Sequence, residues 1–527
     1  MTHTLETDVS DEKPDATAAK LADEWAGPKP AQRVQTVPVY PAAGPVLLQP
    51  PAPMFPWWKP PAESAPIGVL WTGAAAGLGA AALTPWVIGV GWFLGGLVGT
   101  IALVVHIGRP TPRQSLWLAA ALALLGIGAL RDADWLFPLC VMASILCGSL
   151  AVTSGRSVLH LGFSAIAVPL AALRSIPWVA RGIGKARPRN ARILVSLAVS
   201  VVLLLIFGSL LTSADAAFDR LVQRMVPDLD EATVSWWIFL FGAAGFGAFG
   251  ACYLLAAPAH IKANDDRGPG RLRPEDYALP VGALVVLFAV FICTQLAVIF
   301  GGDAYVQAPG TVTYSEYARS GFWQLLWVTV LTLAVIGFVA RFARKDEARE
   351  RTWLRGLLGA LAVLTLVIVA SAISRMWFYQ QAYGFTVLRL VVEAFELWLG
   401  LVYLLVIFAG IRMEAKWLPN TIVATGVAFF LSLAVLNPEG IVASHNVTRW
   451  QETGKIDPYY LSELSADALP AIYQLPEPLR SCAIWPARFA PDGPEDFRHW
   501  NLSRSTGRAL LAAQPPTNSC ENVRPYR

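Results

Sequence analysis

Apolar runs broken by short polar stretches recur from residue 66 to residue 436. A helix rising 1.5 Å per residue needs roughly 20 apolar residues to cross the hydrocarbon core of a bilayer. The pattern predicts about eleven spans, near 66–84, 87–107, 115–130, 135–152, 192–211, 236–256, 279–300, 322–342, 354–373, 386–409 and 420–436. A further apolar stretch, 157–173, contains His160 and Pro169 and precedes Arg174. It reads as an interfacial or re-entrant helix rather than a span. Small residues repeat at Gly73/Gly77, at Gly91/Gly95/Gly99 and along Gly242, Gly245 and Gly250. Such spacing lets helix backbones approach closely in lipid.

After residue 436 the periodicity becomes amphipathic. Pro438 to Thr453 ends at Gly454. Tyr459 to Tyr473 places Leu461, Leu464, Ala468 and Ile472 near helical spacing, and Glu495 to Ala513 is a third candidate. The predicted fold class is all-α: a polytopic transmembrane helix bundle (65–436) with a small helical extracytoplasmic C-terminal subdomain (437–527). Residues 1–64 are acid-rich and then Pro-rich, too polar to bury a core, and read as a disordered cytoplasmic tail. Trp57, Trp58 and Lys59 at its end suit a membrane-interface anchor. No cleavable signal peptide is expected, because the first apolar run starts so late.

Composition supports this reading. Hydrophobic residues make up 55% of the 527, charged residues 15%, and mean hydropathy is +0.50. A water-soluble domain carries roughly 25% charged residues. The placement of charge sets an orientation. In the eleven-span topology, one set of loops holds 21 Lys and Arg and the other holds five: Arg131, Arg220, Arg224, Arg319 and Arg375. Basic residues collect on cytoplasmic loops. The N-terminus is therefore expected inside and the C-terminal tail outside, in a bacterial inner membrane. Making 157–173 a further span would place the cluster from Arg181 to Arg192 outside. The basic residues follow this positive-inside pattern, so no nucleic-acid partner is expected; the lipid bilayer and other envelope proteins are.

Cysteine usage agrees with an outward tail. Cys140, Cys147, Cys252 and Cys293 lie in apolar runs, where free thiols behave as small hydrophobes. Cys482 and Cys520 are the tail's two cysteines and are expected to form a disulfide. Closing that loop would stabilise the fold by about 4 kcal/mol in the chain-entropy model.

The tenth predicted span carries the costliest side chains. Arg389, Glu393 and Glu396 share one face. Charges at that depth cost about 2.5–3.5 kcal/mol each on insertion scales. Arg389 and Glu393 are expected to pair, leaving Glu396 deeper, protonated or bonded to another helix through Gln295 or Gln324. This cluster suits a proton or cation pathway, a buried switch or a structural polar cluster. Asp132 and Asp134 form an Asp-x-Asp pattern in a short outer loop, which could bind a metal in an envelope enzyme but is more often a simple turn. His106 and His160 lack neighbouring ligand residues, so packing roles are expected. No P-loop, GxSxG, HExxH or dinucleotide fingerprint occurs. No cofactor or metal is expected, and no catalytic residue is assigned.

Four segments resemble a bacterial family known as domain of unknown function 4173, related to 4153. They are Ser213-Ala214-Asp215 with Phe218; Tyr314 to Phe322, containing Glu316 and Arg319; Ser374-Arg375-Met376 through Tyr383-Gly384-Phe385-Thr386 to Leu390; and Asn437-Pro438 through Asn446, Arg449 and Asp457 to Pro470. The resemblance covers roughly 190–475. It implies a multi-pass membrane protein and no particular chemistry. With the predicted topology, Asp215, Glu316, Arg319, Arg375, Tyr383, Asn446 and Arg449 all fall on the outer side. They form either an extracytoplasmic site or a surface that ties the tail to the bundle. The function expected is transport, or a sensory or scaffolding role in the envelope. The alternative is an outward-facing enzyme acting on a lipid-linked substrate.

Overall fold

The computed structural model describes Trp58 and residues 61–153, 158–185, 231–258, 271–300, 322–484 and 496–517, with isolated positions between 196 and 218. The N-terminal tail, most of the predicted span at 192–211, and the segment containing Glu316 and Arg319 lie outside the described residues.

Among the described residues the bundle has eleven apolar helices: α1 (Ile67–Leu83), α2 (Val90–Ile107), α3 (Pro112–Leu130), α4 (Leu136–Val152), α5 (Val158–Lys185), α6 (Glu231–Ala256), α7 (Pro274–Phe300), α8 (Phe322–Phe342), α9 (Ala348–Tyr383), α10 (Val387–Arg412) and α11 (Leu418–Leu436). Among the described residues nine are long and apolar enough to cross a membrane; α1 and α4 are apolar but shorter. No strand occurs among them beyond a single bridge between Leu272 and Ala343. This is an all-α polytopic membrane bundle, as the apolar periodicity predicted. Five further short helices form the tail: α12 (Pro438–Thr453), α13 (Pro458–Ser462), α14 (Leu469–Ile472), α15 (Leu479–Cys482) and α16 (Leu502–Ala513).

The helices pack in two groups. In the first, α1 lies against α2 and α6, α3 against α4, and α5 against α6. In the second, α9 lies against α7, α8 and α10. Helix α11 packs on both groups, touching α3 and α10. Small residues set the spacing in the first group. A Cβ on Gly77 would sit 2.9 Å from the Phe241 carbonyl oxygen, and one on Gly250 would sit 2.5 Å from that of Val168. The glycine spacings therefore mark real close approaches at α1–α6 and α5–α6, while Gly242 faces open space.

Helix α5 is among the nine described helices with the length and composition of a span, whereas the sequence predicts an interfacial or re-entrant helix over 157–173. Its C-terminal part lies beside the residues that precede α1. Trp178 donates to the Glu63 carbonyl at 2.9 Å, and the Ala65 amide donates to the Trp178 carbonyl at 3.3 Å. Trp58 differs from the expected interface anchor. It is 1% exposed, donates to the Ala257 carbonyl at 2.9 Å, and lies under the Arg174 guanidinium and beside Tyr253. An acceptor for its indole N–H and a cation over its face make burial cheaper than an interfacial position.

The tail has its own core of Val442, Ala443, Val447, Leu461, Leu464, Leu469, Ile472 and Leu475. Helix α12 matches its predicted bounds, and Gly454 ends it with φ +71°. The predicted helix from Tyr459 to Tyr473 is broken instead. Ser465 caps a 3-10 turn at Ala466–Ala468, and Pro470 opens α14. Proline is favoured in a first helical turn and breaks a helix interior. Leu461, Leu464, Ala468 and Ile472 are nonetheless all buried.

Candidate functional site

Two polar assemblies stand out, one where the tail meets the bundle and one inside the membrane. The first centres on Asp467, which is 3% exposed. Its carboxylate accepts from the Asp132 amide at 2.8 Å, from Arg131 at 3.4 Å and from the Ser503 hydroxyl. Arg131 also donates to the Ala434 and Val435 carbonyls at 2.5 and 3.1 Å, using the unpaired C-terminal groups of α11. Asn501 caps α16 and reaches the Gly128 and Arg131 carbonyls at 2.9 and 2.8 Å. Arg504 pairs with Asp132 at 2.6 Å and donates to the Ile88 carbonyl. Glu439 bridges the Trp135 indole at 3.1 Å and the Ser465 amide at 2.6 Å.

Burial is the main influence on the Asp132 carboxyl and pushes its pKa up to about 6, against the opposing pull of Arg504. Burial likewise raises Glu439, opposed by its Ser465 bonds. The Asp-x-Asp pattern is therefore a turn that receives the tail, and no metal-ligand cluster occurs among the described residues.

The tail also holds the second helix group. Asn446 accepts from the Phe385 amide at 3.2 Å and donates to the Phe385 carbonyl at 2.8 Å, so one side chain satisfies both backbone groups of the residue between α9 and α10. The Tyr460 hydroxyl accepts from the Val387 amide at 2.8 Å. A Cβ on Gly384 would lie 3.0 Å from Asn446 and 3.5 Å from Arg449. The third and fourth resembling segments thus meet.

The other predicted outer residues are dispersed. Arg375 bonds Gln295, Tyr383 is exposed and packs on Tyr379, and Asp215 caps the Phe218 amide at 3.0 Å. Ser481 lies next to Thr517, whose amide donates to its hydroxyl at 2.9 Å. Cys482 ends α15, while Cys520 lies outside the described residues.

The second assembly lies on α10. The expected Arg389–Glu393 pair does not form. Arg389 instead donates to the Gly384 carbonyl at 2.9 Å and lies 4.4 Å over the Tyr379 ring. Glu393 accepts from Gln380 at 3.0 Å. Helix α9 supplies partners to both residues, and pairing across helices outcompetes pairing along one. One turn deeper, Glu396 is fully buried, and neither of its oxygens has a hydrogen-bond partner among the described residues. Neither expected partner serves it, since Gln295 binds Arg375 and Gln324 is exposed. Two turns further along α10 is Tyr403, fully buried, with its hydroxyl donating to the Thr329 carbonyl at 2.6 Å and lying near Thr332 and Thr365.

Sequence reasoning missed Glu439, Tyr403, Asn501, Ser503 and Arg504. An Asn at a helix N-cap position, with Ser503 and Arg504 in the first turn of the amphipathic α16, was the available signal for the last three.

No curated protein and no solved structure matches the chain. The family match is to the related family rather than to domain of unknown function 4173, and it starts upstream of residue 190. The model of the family described as Domain of unknown function (DUF4153) matches residues 119–475, more than half of the sequence, and the chain belongs to that family.

Proposed function

We propose that this protein is a transporter of the bacterial cytoplasmic membrane in which Glu396 takes up and releases a proton during the transport cycle. One observation carries the reading: a fully buried carboxyl near the middle of a membrane helix has no donor for either oxygen among the described residues. An ionisable residue inside a membrane bundle is a functional candidate by default, because an ionised group there costs several kcal/mol and needs a cavity or partner. Polar groups extend from it both ways. Glu393 and Gln380 lead toward the tail-bearing end, and Tyr403 with Thr329, Thr332 and Thr365 toward the other.

The orientation that fits is the positive-inside one, with the N-terminus cytoplasmic and the tail extracytoplasmic. A Cys482–Cys520 disulfide would suit that compartment. The Ser481–Thr517 bond supports it by bringing the chain three residues before Cys520 beside Cys482.

The test is proton movement into proteoliposomes under an imposed pH gradient, read with a trapped pH-sensitive dye. Wild type is expected to conduct, Glu396→Gln to fall to the level of empty vesicles, and Glu396→Asp to retain part of the flux. Conduction by Glu396→Gln at the wild-type rate would sink the reading. A sensory or scaffolding role is the second reading, favoured by a tail that grips both helix groups. The envelope-enzyme alternative loses its main candidate, because Asp132 is committed to Arg504.

A further inference from the structure

At the end of the bundle opposite the tail, α8, α9 and α10 enclose a cavity of about 190 Å³. Its walls are aliphatic, including Ile336, Leu358, Ile407 and Ile411. The charged residues that line it are both cations, Lys345 and Arg355. Arg355 is exposed, and Lys345 is half-buried with its ammonium on the Ala340 carbonyl at 2.6 Å. Trp353 is exposed two residues before Arg355, and Trp417 packs edge-on to Phe408. Tryptophans gather where membrane meets water, so this cavity opens at headgroup level.

We infer that the cavity binds an anionic phospholipid, with its phosphate at Arg355 and Lys345 and an acyl chain along the aliphatic walls. A soluble anion would not use those walls, and a zwitterionic lipid would not reward two cations of the same sign. Basic pockets between helices on the cytoplasmic side suit acidic headgroups, because that leaflet carries a negative surface potential. Gly359 and Gly410 keep the space open, since an added Cβ at either would meet nothing within 4 Å. The inference stands apart from the Glu396 reading, which concerns a position about three turns earlier along α10.

The test is thermal unfolding of the full-length protein in detergent with added phosphatidylglycerol, phosphatidylcholine or inorganic phosphate. Phosphatidylglycerol is expected to raise the melting temperature more than phosphatidylcholine at equal mole fraction, and phosphate to leave it unchanged. Arg355→Gln should weaken the apparent phosphatidylglycerol affinity roughly tenfold, the effect of losing one charge-assisted contact. Gly410→Leu should fill the cavity and abolish the phosphatidylglycerol preference without removing any charge. That separates the cavity from general attraction to basic loops and decides the matter if Arg355→Gln does not fold. Equal shifts by both lipids, an equal shift by phosphate, or an undiminished preference in Gly410→Leu would overturn the inference.

Discussion

Asp467 and Glu396 are both buried carboxyl groups, and their surroundings give them opposite roles. Asp467 accepts from an amide, a guanidinium and a hydroxyl, the satisfied arrangement that makes burial of a charge tolerable. Glu396 has none of these among the described residues. The sequence placed Glu396 at depth through its spacing from Arg389, but the partners of both groups come from segments far away in the chain, which periodicity does not report. Asp132 stands between these extremes and has a readable pH signature. Its carboxyl, raised to about 6 in the folded state from 3.8 when free, holds a proton that the freed tail joint releases. Its contribution is therefore most favourable below about pH 4 and is lost as pH rises through 6. At 14% side-chain exposure, the loss is on the order of 2–3 kcal/mol. Melting temperatures of wild type and Asp132→Asn, compared from pH 4.5 to 7.5, should show the variant losing less stability as pH rises. Parallel curves would show that burial does not govern this carboxyl.

Among the elements, the spans were legible and the tail only partly so. Long apolar runs dictate membrane helices almost without regard to context, because lipid leaves backbone groups no other partners. The tail obeys a weaker rule: its apolar positions were read correctly, but Ser465 and Pro470 break the helix drawn through them. The glycine spacings were ambiguous one by one, and geometry sorts them. Gly250→Ala would press a methyl against the Val168 oxygen and the Ala172 nitrogen, at 2.5 and 2.7 Å, and neither backbone atom yields easily. Destabilisation of about 1–3 kcal/mol is expected from this overpacking. Gly242→Ala, with nothing within 4 Å, should be neutral or slightly stabilising through helix propensity. Thermal melts of the two variants check the contrast, and equal effects would mean that the α5–α6 contact is not close in solution.

On the scale of the whole molecule, the tail joins what the membrane helices keep partly apart. Asn501, Ser503 and Arg504 hold the turn between α3 and α4, while Asn446 and Tyr460 hold the turn between α9 and α10. Topology is the property on which the proposed orientation depends. Labelling intact cells with a membrane-impermeant maleimide should modify Cys482 and Cys520 only after reduction. Labelling that requires permeabilised cells even after reduction and unfolding of the tail would reverse the assignment. The grip on both groups has a consequence for how the chain is made. Every residue of the clasp follows the last span, and its Asn501–Arg504 portion lies beyond the family match as well. During synthesis the bundle must therefore exist for a time with all its helices emerged and its two groups unfastened. A ribosome that stops shortly after residue 475 would release a fully threaded protein whose first half keeps its bonds to Asp467 and Glu439 but lacks those to Asn501, Ser503 and Arg504, and a membrane protease that surveys loosely joined helices would meet that product first.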